Sequence, residues 1–138
     1  MTRTWIFVLS LLASLAVVPP AAGGSGERPA VKVGKYGCMF AMDGMLFDTS
    51  ALVIADGNRY QTQRGSGEFR FVAATSRIQF TSGVLAEMTA NNRYVPSGIV
   101  KGGLKKPTGP AIVLNPSAAA RKKRGNEAVA QYCYWRAQ

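Results

Sequence analysis

Two neighbouring runs, Glu68-Phe-Arg-Phe-Val72 and Arg77-Ile-Gln-Phe-Thr81, switch between apolar and polar side chains at nearly every step. Successive side chains of a strand point to opposite faces, so a period of two describes half-buried strands and excludes a helix. Phe69, Phe71, Ile78 and Phe80 then point inward, with Arg70, Arg77 and Gln79 outward. Shorter segments repeat the theme. Lys35-Tyr-Gly-Cys-Met-Phe40 places Tyr36, Cys38 and Phe40 on one face, and Ala51-Leu-Val-Ile-Ala55 runs into Asp56-Gly57-Asn58, a strong hairpin signal, with Arg59-Tyr-Gln-Thr62 returning. Ala111-Ile-Val-Leu114 reads as a strand. The segment from Ala128 to Arg136 closes the domain, with Val129, Cys133 and Trp135 on one face and Tyr132 and Tyr134 on the other.

Between these lie less regular stretches. Val84-Leu-Ala-Glu-Met88 suits a strand or a single helical turn. Asn91 to Pro110 holds Gly98, Gly102, Gly103, Gly109, Pro96 and Pro107, and reads mostly as loop with a short strand around Ile99-Val100. Residues 115–125 form a polar connection with one helical turn at the alanines. About seven short strands with adjacent hairpins define an all-β domain built as an antiparallel meander. Closing it into a small barrel protects the sheet edges; a two-sheet β-sandwich is the alternative.

The N-terminal 30 residues have another character. Arg3 precedes the apolar run Trp5 to Val18, which is followed by Pro19, Pro20 and the small residues Ala21 to Gly24. This is the order of a secretory signal peptide, taken here as residues 1–23. The run is short for a hydrocarbon core that takes about 20 residues to span, and nothing later is apolar enough to cross a membrane. Residues 24–30 are small and polar and suit a flexible mature N-terminus, ahead of a single β-domain over 31–138. Export places the mature chain in the periplasm or outside the cell. In an oxidising compartment Cys38 and Cys133, the two cysteines of the sequence, are expected to pair, linking the first strand to the last.

Gly34-Lys-Tyr-Gly-Cys38 near the start and Cys133-Tyr134 near the end carry a resemblance. Gly57-Asn-Arg-Tyr60, Gly67-Glu-Phe69 and Ile78-Gln-Phe-Thr-Ser-Gly83 lie between them in the same loose order. Together they resemble small secreted bacterial β-proteins of uncharacterised function. The resemblance covers most of the mature chain, supports a β-fold in an envelope setting, and implies no activity.

The chemistry available is narrow. The chain has no histidine, which removes the usual general base, the commonest metal ligand and any Ser-His-Asp or Cys-His arrangement. No metal or other cofactor is expected. Asp43 and Asp48 flank one loop, as a carboxylate pair of a glycoside hydrolase would, but turn chemistry accounts for them, as it does for Asp56-Gly57. The expectation is a protein without enzymatic activity.

Charge is the informative feature. The sequence carries a net charge of +10, and from Met88 to Asn126 there is no acidic residue. That interval holds Arg93, Lys101, Lys105, Lys106, Arg121, Lys122, Lys123 and Arg124. If the basic loops 93–106 and 121–124 meet at one end of the barrel, they form a patch that attracts polyanions in a salt-dependent way. Anionic lipid, lipopolysaccharide or an anionic glycan is the expected partner. Nucleic acid is less favoured, since Tyr94 is the one aromatic residue interleaved in the loops. Two other readings compete: a solvated face that keeps the protein soluble, and a protein-binding module such as a periplasmic protease inhibitor that acts through the tail Gly24-Ser-Gly-Glu-Arg-Pro29.

Overall fold

A computed structural model describes residues 30–138. The leader read over 1–23 and most of the tail read over 24–30 lie outside the described residues. The remainder is a closed antiparallel barrel with strand order β1-β2-β3-β4-β5-β6-β7-β8. The strands are β1 (Gly34–Met42), β2 (Met45–Ile54), β3 (Arg59–Thr62), β4 (Gly65–Val72), β5 (Arg77–Phe80), β6 (Asn92–Val95), β7 (Ala111–Leu114) and β8 (Gln131–Arg136). Two short helices interrupt the meander, α1 (Val84–Met88) before β6 and α2 (Ala118–Arg124) before β8.

Closure is made by β1 and β8, whose register sets Cys38 against Cys133. The two cysteines form a disulfide between residues 95 apart in sequence. The inward-facing residues fill the interior, as an eight-strand barrel of this width allows. Tyr36, Cys38, Leu52, Ile54, Tyr60, Phe69, Ile78, Phe80, Tyr94, Ile112, Leu114 and Cys133 form one buried cluster, with Phe71 and Trp135 packed against it. The ring edges interlock: Tyr60 meets Phe80 and Phe71 meets Tyr94 edge to face. Each buried phenol has a partner. The Tyr36 hydroxyl donates to the Lys32 carbonyl at 2.6 Å, and that of Tyr60 donates to the Ser82 carbonyl at 2.7 Å. The Tyr60 oxygen also accepts the Leu85 backbone N–H at 3.1 Å, which fastens the start of α1 over the barrel mouth.

A second, smaller cluster lies outside the barrel wall. Met39, Ala111 and Tyr134 are buried there under Val95 of β6 and under Val100 and Leu104 of the long β6–β7 connection. Tyr134 thus leaves the interior to Cys133 and Trp135, as strand alternation requires.

Three elements differ from the sequence reading. The strand expected at Ile99-Val100 is not formed; Ile99 is 70% exposed, and the strand of this region is β6, which ends at Val95, four residues before Ile99. Tyr94 is correspondingly not a loop residue but part of the core, its hydroxyl accepting the Lys32 N–H at 3.2 Å. Its neighbour Asn92 fills an inward position at the mouth. There its amide donates to Thr89 Oγ1 at 2.8 Å and its carbonyl oxygen accepts the Asn115 N–H at 3.0 Å, so the buried polar group is satisfied. Finally, the basic run 121–124 is helical. Ser117 Oγ caps α2 by accepting the Ala120 N–H at 3.1 Å and donates to the Glu87 carbonyl at 2.7 Å, so α2 is docked against α1.

Strand direction sorts the connections into two ends. The turns at 43–44 and 63–64, α1, and the α2 connection all lie at one end, called here the helical end. The 55–58 and 73–76 connections and the 96–110 loop lie at the other.

Candidate anion-binding surfaces

The eight cations of the acid-free interval fall into three places. Lys101, Lys105 and Lys106 stand on the 96–110 loop; Arg121, Lys122, Lys123 and Arg124 form the last turn of α2; Arg93 projects from β6 on the wall between them. Because β7 runs from the 96–110 loop to α2, those two groups sit at opposite ends of the barrel. The expectation of two basic loops at one end is therefore corrected: there is one basic loop, one basic helical turn, and a barrel between them.

The 96–110 loop is held by more than its ends. Val100 and Leu104 reach down into the outer cluster, and the Leu104 N–H donates to the buried Tyr134 hydroxyl at 2.9 Å. Gly103 lies so close over that hydroxyl that any β-carbon there would collide with it. Further along, Thr108 Oγ1 donates to the Trp135 carbonyl at 3.2 Å and the Trp135 N–H donates to the Pro110 carbonyl at 3.0 Å. Val100 and Leu104 point down while Lys101, Lys105 and Lys106 are exposed, so the lysines stand on a fixed base. Lys32 belongs to this end as well; its ammonium lies 3.6 Å from the centre of the Trp135 ring, a cation–π contact.

On α2 the four cations complement the negative end of the helix dipole, which gives them a local structural role whatever else they bind. On the wall, Arg93 stands directly opposite Arg77 in the β5–β6 register. Like charges in that relation repel. Arg77 finds only the neutral Asn91 Oδ1, at 3.3 Å. Among the described residues the one ion pair joins Arg59 Nε to Asp56 Oδ2 at 2.8 Å, so none of the eight cations has a carboxylate partner. Asp56 also accepts the Asn58 and Arg59 N–H groups, and these bonds, with the Arg59 guanidinium, hold its carboxyl below the usual range.

Sequence reasoning missed Lys32 and the opposition of Arg77 to Arg93. Arg77 was legible as an outward residue, but its neighbour across the ladder depends on where β6 begins.

The helical end carries a cleft of about 380 Å³. Leu52, Val84, Leu85 and Leu114 give it an apolar floor, and Arg64, Arg124 and Glu127 stand at its edge. Cys38, Leu52 and Leu114 of the buried cluster also line it, so it sits directly on the filled interior. Asp43 and Asp48 do not make a catalytic pair: Asp43 occupies a turn and Asp48 pairs with Met39 further down the same hairpin. Among the described residues no three His, Cys, Asp or Glu side chains are grouped to hold a metal ion, and no helix is long and apolar enough to cross a membrane. No family model, curated protein or solved structure matches the chain.

Proposed function

We propose that the protein is a non-catalytic binding module of an oxidising compartment, periplasmic or extracellular, that holds an anionic component of the cell envelope. One observation supports this above the others: Lys101, Lys105 and Lys106 are presented on a loop pinned to the barrel wall, with no carboxylate partner for any of them among the described residues. A loop that served only solubility has no need of a buried tyrosine, a close-packed glycine and two apolar anchors beneath it. Fixing the backbone in advance lowers the ordering cost of binding and leaves only the lysine side chains to be ordered. Phosphorylated lipid headgroups, lipopolysaccharide and anionic glycans share the chemistry that such a surface recognises.

The test is binding of the disulfide-intact protein to vesicles of anionic lipid, to lipopolysaccharide and to a sulfated glycan across a salt series. Replacing Lys101, Lys105 and Lys106 by alanine is expected to weaken binding at least tenfold, or about 1.4 kcal/mol, with an unchanged melting temperature. Binding that survives this triple change but is lost when Arg121 to Arg124 are neutralised moves the site to α2. Binding to nothing above low salt overturns the reading.

A further inference from the structure

Among the described residues, exposed large apolar side chains gather on the hairpin at the far end of β1 and β2, which carries Met42, Met45, Leu46 and Phe47. Beyond Met39 the β1 strand has lost β8 as a neighbour, and below Leu52 the β2 strand has not yet met β3. Residues 40–47 therefore pair only with one another, and both edges of the ribbon are open. Asp43 and Gly44 make its two-residue turn with φ of 52° and 77°, the left-handed pair that a tight hairpin requires. Register puts Phe40, Phe47, Met42 and Met45 on one face, with the two phenyl rings stacked at 5.3 Å. Met42 is 52% and Met45 62% exposed. An apolar ribbon with open edges is a surface that invites cover.

The arm rises beside the cleft of the helical end, and Thr49 and Ser50 at its base line that cleft. Their charges are complementary. The arm is apolar with an acidic tip, Asp43, while the cleft is mixed, its apolar side chains Leu52, Val84, Leu85 and Leu114 lying among polar ones, with Arg64 and Arg124 set against the single acid Glu127. Donor and receiver lie on the same end of the same molecule, the condition for a two-fold contact in which one surface serves twice. We propose that a second copy of this chain covers the arm: each hairpin tip seats in its partner's cleft, the methionines on the apolar floor and the carboxylate of Asp43 at the arginines. A lipid surface fits less well, because Asp43 at the tip would be the first group driven into it. The inference goes beyond the anion-binding reading, whose three lysines lie at the opposite end of the barrel.

Sedimentation equilibrium of the disulfide-intact protein tests it, from about 1 µM to about 500 µM, where contacts of modest size assemble. A monomer–dimer equilibrium is expected. Met45→Ser and Asp43→Asn should each weaken it about tenfold; asparagine retains the left-handed turn. Neither residue belongs to an apolar cluster of the fold, so both variants should melt as the parent does. Arg64→Gln with Arg124→Gln should weaken the dimer similarly, and adding Asp43→Asn to that pair should cost much less than it does alone. A parent monomeric throughout, a dimer indifferent to the arm variants, or strict additivity of the charge changes overturns the proposal.

Discussion

Tyr36 shows how much one buried side chain fixes. It is fully enclosed, its hydroxyl tied to the Lys32 carbonyl, and burial together with the neighbouring Tyr94 pushes its phenol far above the ordinary value. Tyr60 is shifted the same way by burial. The sign of the consequence follows from proton counting. Above about pH 10 the unfolded chain releases the phenol proton while the folded chain retains it, so stability is intact below that pH and falls as pH rises. Denaturation at increasing pH should show a loss steepening beyond pH 10, by about 1.4 kcal/mol per unit for Tyr36, with Tyr60 adding in the same direction. Tyr36→Phe should remove its share of that slope, at a cost near neutrality of about 1 kcal/mol for the lost hydrogen bond. An unchanged slope would mean that the phenol ionises freely in the folded state.

Among the elements, the 96–110 loop is anchored at its middle by a single side-chain hydroxyl, that of Tyr134. Tyr134→Phe keeps the ring in the outer cluster but removes the acceptor of the Leu104 N–H. Faster hydrogen exchange at Leu104 is expected, with a stability loss of about 1 kcal/mol. Weaker anion binding should accompany it, although every lysine remains; unaltered exchange would show that Val100 and Leu104 hold the loop unaided. The sequence displayed β4 and β5 clearly because each alternates between core and solvent. It hid β6, where the inward positions are Asn92 and Tyr94 and the first is polar. It hid the arm as well, since Met39 to Phe47 is apolar on both faces and a period of two leaves no trace there. Ala118 to Arg124 buries only Ala120, so α2 lacks the apolar stripe by which helices are recognised. The charges could be counted from the sequence, but their division between two ends depends on the direction of every strand before them.

For the whole molecule, closure is the governing fact. The ladder β1–β8 joins the two ends of the domain and the Cys38–Cys133 bond locks it. A cross-link around so long a loop restricts the unfolded chain by about 4 to 5 kcal/mol on the chain-entropy model. Replacing both cysteines by serine should lower the unfolding free energy by roughly that amount while the barrel still forms, since the same cluster holds eleven other buried side chains, Val31 among them. A denaturant titration with and without reductant checks it; coincident transitions would mean that the loop was already constrained before folding. The same bond has a consequence for survival among proteases. Any backbone cut between residues 38 and 133, including at the exposed arginines and lysines of α2, leaves both pieces bound to each other through sulfur and still wrapped in one barrel. A nick is thus a scar and no amputation, and the protein can display its most cleavable cations without losing either half of itself.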